Sequence, residues 1–563
     1  MTRRSTVSAL FSALLAVAVC ACGSGGGSST KAAALGAKQD SKPTTGGTIE
    51  YGHYQEPPCL VTTWVQTGYL TRQYLEQLIT VDEKGEFLPW LAESWDISDD
   101  KQTYTFHLKP NVKFTNGEPF NSEAVKVNFD NWFSTDPTRR NGYVAFHVED
   151  HIDKIETPDD LTVVFKLKHP HHPFLSALSQ YAFGFLAPSV VKAGPEEWCV
   201  RPVGTGPFIV EKWNRGTNVV LKRNPNYNSA PGDVENKGPA YVDGINWKFL
   251  KDNTARWGSL KSGQSDVIYD IPGVNWAEAN ERYEVLRHIT GGRPSQLALA
   301  TDHAPFDDVK VRKAFQYASD RRKAVETVFQ GAVPYNGNGA LSASSPEHLK
   351  DLEDYYKYDP AKANQLLDEA GWTEKDADGI RSKNGKKLTV RIVYGAGSII
   401  SSDGSEFLQI VQDQAKQVGF DVQLKPITTA DFFAGKGRQP GEFEIQPGYW
   451  VARSAEIFQV VWKPDAKADD GTVLPNANNT SRLQTDQVGI WQLVRQADQE
   501  YDDAKRTALY EQVQRKLVEE QAVTVGAYPL TVSLALSERI TGIKLNASIG
   551  EPIFNDAYFV KGK

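Results

Sequence analysis

Cysteine is scarce in this 563-residue chain: Cys20, Cys22, Cys59 and Cys199 are the only four. No C-x-x-C pair occurs in the body, and G-x-S-x-G, H-E-x-x-H and the phosphate-binding loop are missing too. Nucleophile-elbow, zinc-protease and nucleotide-hydrolase readings lose their motifs. Carboxylates are plentiful, but no spacing singles out a glycosidase-like pair. A catalytic role therefore has no anchor, and no cofactor is implied. Lys+Arg number 62 against Asp+Glu 70, a net charge of −8 with no basic block, so nucleic acid is not an expected partner. No long apolar run follows the first twenty residues, so nothing later is expected to cross a membrane. There is no internal repeat.

What is present begins at the start. Arg3 and Arg4 precede a short apolar run, Val7 to Val19, the layout of a signal peptide. Val19-Cys20-Ala21-Cys22 resembles a bacterial lipobox, with Cys22 as the acylated residue; an ordinary secretory signal is the alternative. Residues 1–21 are then the signal peptide, and Cys22 to Gly47 is a Gly/Ser-rich tether with no apolar face to bury. Whether export is by the Sec or the twin-arginine route stays open. After cleavage two thiols are left, Cys59 and Cys199. An even count in an oxidising compartment predicts a disulfide; two unrelated buried thiols are the other reading. In the chain-entropy account such a bridge is worth about 5 kcal/mol.

The body is long enough for several folding units. Tyr104, Phe106 and Leu108 alternate with polar residues as a half-buried strand does. Asn121 or Ser122 can cap a helix whose inner face is Val125, Phe129 and Trp132. Phe208–Trp213 and Asn218–Arg223 read as a hairpin around Asn214-Arg215-Gly216-Thr217. Val311, Ala314, Phe315 and Ala318 form one helical stripe, and Asp359-Pro360 opens another helix that stops at Gly371. KKLTVRIVYG, SEFLQIVQDQAKQVG and FDVQLKPI read as strand, helix and strand, a βαβ unit with a parallel pair.

Six stretches in order carry a family resemblance: AESWDISDDKQTYTFHLKPNVKFTNGEPFNSEAV, RPVGTGPFIVEKW, LKRNPNYN, LKSGQSDVIYDIP, PFDDVKVRKAFQYASDRRKAV and YDPAKANQLLDEAGW. Together they resemble the extracytoplasmic solute-binding proteins of peptide-type ABC transporters, the oligopeptide, dipeptide and nickel group. The resemblance implies an α/β, two-lobed periplasmic-binding-protein fold with a hinged interlobe cleft and a subsidiary α+β domain in lobe I. It implies lobe I at 48–78, 203–295 and 524–563, the subsidiary domain at 79–202, and lobe II at 296–523. It implies a monomer, anchored by lipid to the outer face of the cell membrane. Such a protein captures a peptide or a peptide-like, acidic solute and delivers it to ABC permease subunits. A same-fold sensor or accessory lipoprotein of the envelope is the alternative, and a nickel-type metal-chelate receptor a lesser one.

In peptide-binding relatives a Trp-x-x-Asp segment of lobe II supplies an Asp for the ligand ammonium. The matching PGYWVARSAEIF has Trp450 in place, but Arg453 stands where the Asp would be, or Ala452 if the register slips by one. Arg453 would favour a carboxylate or phosphate, or else face solvent or pair with Glu456. Tyr449 and Trp450 offer aromatic faces, with core packing as the other reading of Trp450. Tyr54 and Glu56 occupy the lobe I segment that reaches the cleft in relatives. Glu56 could take a ligand cation, pair with Arg453, or be a turn carboxylate before Pro57-Pro58. Five histidines crowd one region, His147, His151, His169, His171 and His172. The two prolines of HPHHPF make a solvated loop the expectation there, not a metal site.

Overall fold

The computed structural model describes residues 42–61, 65–397, 399–439, 441–467, 470 and 472–561. The expected signal segment 1–21, Cys22 and the first part of the expected tether lie outside the described residues. Three sheets organise the rest.

The largest sheet has seven strands, in the order Glu284–Ile289, Thr531–Leu536, Val267–Tyr269, Thr48–His53, Gly244–Phe249, Asn218–Arg223 and Phe208–Asn214. Its centre is the strand Thr48–His53, which runs parallel to both neighbours, with Ile49 beside Ile245 and Tyr51 beside Trp247. These four side chains are fully or nearly fully buried, as expected of a strand covered on both faces. The predicted hairpin closes this sheet. Thr217 N–H donates to the Asn214 carbonyl, and Gly216 at φ +74° supplies the positive φ that a type II turn demands.

The four-stranded antiparallel sheet runs Ala92–Ile97, Thr103–Leu108, Thr162–Leu167, Ile152–Asp159. Tyr104, Phe106 and Leu108 point inward, as their alternation predicts. Against it packs the helix Ser122–Trp132. Of the two candidate caps, Asn121 is the one used: its Oδ1 accepts from Ala124 N–H at 3.0 Å. This sheet and the seven-stranded one share one continuous apolar core. Cys59 and Cys199 are bonded across 140 residues, and Leu60 N–H donates to the Cys199 carbonyl beside the bridge.

The five-stranded sheet runs Asp421–Ile427, Thr389–Gly395, Ile445–Val451, Gly292–Leu299, Thr524–Tyr528. Its first two strands are the parallel pair expected of the βαβ unit, with Thr389 beside Asp421 and Gly395 beside Ile427, joined by helix Ser402–Gln417. It has its own core, and a third core of helices adjoins it.

The chain passes between the seven- and five-stranded sheets twice, through Thr290-Gly291 and through Pro529-Leu530. The two crossings touch: Thr290 N–H donates to the Leu530 carbonyl at 2.9 Å. Gly292 sits at φ +86°, and a Cβ there would lie 2.5 Å from the Trp450 carbonyl oxygen. Only glycine fits that approach. The architecture is thus two lobes joined by two adjacent strands, the smaller sheet belonging to the first lobe. Among the described residues no helix is long and apolar enough to cross a membrane.

Candidate functional site

A cavity of about 330 Å3 lies where the lobes face each other. The first lobe contributes Tyr143, Phe146 and Tyr181. The second contributes Arg293, Gln446, Tyr449 and Trp450 from its sheet, and Phe432, Phe433, Arg438, Asn478 and Thr480 from loops and a short helix. The strands Gly292–Leu299 and Ile445–Val451 pair antiparallel, which sets Arg293 opposite Trp450. Pro294 has no N–H to give the ladder, and the register slips between Arg293 and Gln296.

The aromatic half of the site closes across the lobes. The Trp450 ring lies nearly parallel to Tyr143, 5.8 Å between centroids and 8° between planes. Burial pushes the Tyr143 phenol up.

The cationic half consists of guanidiniums without acids. Arg293 is 5% exposed, and its Nη1 donates to the Asn478 carbonyl at 3.4 Å while its Nε has no hydrogen-bond partner. Burial, and then the Arg438 charge, push its pKa down to about 10. Arg438 donates to the Ala477 carbonyl, and its guanidinium lies 4.5 Å from the centre of the Phe432 ring. Burial and Arg482 lower its pKa in turn. Arg482, held at φ +54°, donates to the Arg438 carbonyl at 2.8 Å.

The residues expected from the sequence fall in different places. Tyr449 and Trp450 line the cavity. Tyr54 lines a smaller recess of about 70 Å3, which shares Tyr449 and Ile399 with the cavity and includes Asp270, Asp403 and Tyr528. Its ring stacks on His53, and burial holds its phenol protonated well past the usual range. Glu56 is not brought to the cavity. Its Oε1 accepts from the Trp213 indole at 3.2 Å and from Gly216 N–H at 2.9 Å, so it fastens the hairpin turn. Arg453 pairs neither with Glu56 nor with Glu456. It reaches across the lobes to the Lys84 carbonyl at 3.3 Å, over Gly85, and lines a separate cavity of about 530 Å3 beside the hinge with Arg287 and His288.

The histidine-rich segment is not the solvated loop its prolines suggest. His147 and His171 are buried, and His171 stacks on His151 at 3.6 Å between centroids. The covering surface comes from the second lobe: Gln459 and Asp498 line the space around His151 and His171. There Glu456 Oε1 lies 3.4 Å from His172 Nδ1, Lys463 pairs with Asp150, and Tyr501 meets Tyr104, hydroxyl to hydroxyl, at 2.7 Å. Among the described residues no three or more His, Cys, Asp or Glu side chains converge as a metal site.

The sequence reading missed Arg293, Arg438 and Arg482. Gly291-Gly292 ahead of Arg293-Pro294 was the one available signal, since paired glycines at a strand start mark a close backbone approach. The other two sit in loops whose pairing is invisible from composition.

Residues 86–471 match the family described as bacterial extracellular solute-binding proteins, family 5. The chain is 31% identical to the glutathione-binding protein GsiB of Pectobacterium atrosepticum over 395 residues, 69% of this chain and 70% of the relative. It resembles the structure of NikA from Brucella suis in complex with Fe(III)-EDTA, with TM-score 0.73, 26% identity, and 90% and 98% of the two chains covered. It likewise resembles the oligopeptide-binding protein AppA of Bacillus subtilis in complex with a nonapeptide, with TM-score 0.77, 22% identity, and 92% and 100% covered.

Proposed function

The chain belongs to the family 5 bacterial extracellular solute-binding proteins, and from that premise we propose that it is the receptor of an ABC importer, taking a peptide or peptide-like, acidic solute into the cleft and handing it to the permease. The interlobe cavity carries this reading, because Tyr449 and Trp450 of one lobe meet Tyr143 and Tyr181 of the other across it. A site built from two lobes couples occupancy to closure, and a closed shape is what a membrane partner can read. At about 330 Å3 the space is at the small end for ligand sites, which suits a short or branched solute better than a long peptide. Glutathione, in the name of the first relative above, and the EDTA of the Fe(III)-EDTA in the second each carry more than one carboxylate.

We place the ligand-contacting set at Tyr449 and Trp450 with Tyr54 at the adjoining recess, and lipidation at Cys22, the tether 22–47 raising the local concentration of a monomeric receptor at its permease. We place the lobe boundaries at the crossings Thr290-Gly291 and Pro529-Leu530, where the family resemblance implied 295/296 and 523/524. The test is thermal unfolding of the purified domain from Thr48 onward against short peptides, opines, sugars, siderophores and metal chelates, with small-angle scattering to follow closure. At least one class stabilises and compacts the protein. No ligand-linked shift in any class would overturn the receptor reading.

A further inference from the structure

The cleft contains charge without counter-charge. Arg293, Arg438 and Arg482 adjoin one another, and their hydrogen bonds go to backbone carbonyls. Among the described residues none of the three forms an ion pair. The acids of the neighbouring strand ends are engaged: Asp302 and Glu444 hold His303, and Glu444 also holds Arg391. Asp302 feels the Arg482 charge but keeps His303 as its closest partner. Guanidiniums keep their protons at neutral pH, so the charge cannot be shed. Nε of Arg293 and of Arg438, and Nε and Nη1 of Arg482, are buried with nothing to donate to. A folded protein seldom leaves a buried cation in that condition unless something else brings the anion.

We propose that Arg293 and Arg438, backed by Arg482, form a polyanion subsite of the cleft, and that the solute is a compact molecule with at least two carboxylates at one end and an apolar or planar part lying against Tyr143 and Trp450. This rests on the receptor reading above and sharpens it. Two guanidiniums present forked donors, which match two carboxylates better than one. Phe432 under Arg438 and the Tyr143–Trp450 pair enclose the charges in apolar walls, which strengthens the attraction. Arg453 points to another cavity, so the cations that face the solute are Arg293 and Arg438.

Citrate and the peptides Glu-Glu and Gln-Gln are the probes, measured by calorimetry and thermal unfolding on wild type, Arg293→Met, Arg438→Met and the control Arg282→Met, an exposed arginine paired with Glu278 away from the cleft. Wild type binds citrate and Glu-Glu and prefers Glu-Glu to Gln-Gln. Each cleft variant weakens citrate and Glu-Glu by roughly 10- to 100-fold, the loss of a charge-assisted contact. The control keeps wild-type affinity. Without any ligand, Arg293→Met unfolds at a higher temperature than wild type, since an unpaired buried charge is gone; a structural arginine would give the reverse. Equal binding of Glu-Glu and Gln-Gln that survives both cleft variants would overturn the anion subsite and leave the receptor reading standing. Failure of every probe, with Arg293→Met unfolding at a lower temperature, would overturn the subsite as well.

Discussion

Arg256 and Arg293 are both buried arginines, one in each lobe, and their surroundings are opposites. Arg256 makes five hydrogen bonds, to the carbonyls of Tyr269, Leu250 and Asp270 and to the side chains of Asn253 and Asp270. Arg293 makes one, long at 3.4 Å. A saturated guanidinium is a structural tie that organises several loops at once. A starved one is a receptor for charge arriving from outside. Burial is the same in both; what separates structure from function is where the donors end.

The contrast can be broken most forcefully at Arg256. Arg256→Met strands three carbonyls and the Asp270 carboxylate, whose pKa burial already raises. It should cost about 3–5 kcal/mol, read as a lower urea midpoint with an unchanged slope. No loss at all, or a gain like that expected of Arg293→Met, would erase the distinction.

Acid tests the interface between the lobes. Burial pushes His147 and His151 down to about 4, and His171 further down. Once exposed they take up protons below about 6.5, while the native state does not until about pH 4. Stability from these rings is therefore complete above pH 6.5 and drains away as pH falls toward 4, by roughly 3 kcal/mol for His147 alone. Other groups at that interface modulate the slope: Glu456, Asp150 and Asp498 with Lys463 and Arg495. Asp498, raised by its burial, acts in the opposite sense and holds the native state at low pH. The check is unfolding across pH 4–8 for wild type and His147→Gln, whose curve should be flatter.

Glu76 supplies the anionic counterpart of Arg256. Trp90 Nε1 and the hydroxyls of Tyr227, Thr205 and Ser229 all donate to it. Glu76→Gln sets an amide N–H2 against some of these donors and should cost about 1–3 kcal/mol. Smallest, and opposite in sign, is Arg293→Met, a gain of about 1 kcal/mol in the absence of ligand, seen as a small rise in Tm.

Much of the fold was legible because its signals are local. Asn121 and Asp359 accept from the amide three residues on, and the crossover helix Ser402–Gln417 is long enough to set the strands Thr389–Gly395 and Asp421–Ile427 parallel. The site was legible only where one residue type decides, as with Trp450. Glu56 went to a hairpin tip more than a hundred residues later in the chain, which no local pattern announces. Arg293 acquired its role from a bulge at Pro294 and from loops near 438 and 478. The histidines were misread because their cover lies on the other lobe, near 456–498, and composition describes a segment, not what lands on it.

The Cys59–Cys199 bond has a mechanical consequence. Together with the shared core it welds the four-stranded sheet to the seven-stranded one. The molecule is then a two-link mechanism with a single joint, the strand pair at Thr290 and Leu530. Tyr143, on the short helix Gly142–Val144 that leads into the smaller sheet, is the tip of a stiff jaw, and a ligand that holds Tyr143 beside Trp450 holds the hinge without slack. Reduction would cut one of the two welds and leave the shared core alone to carry the load from ligand to hinge.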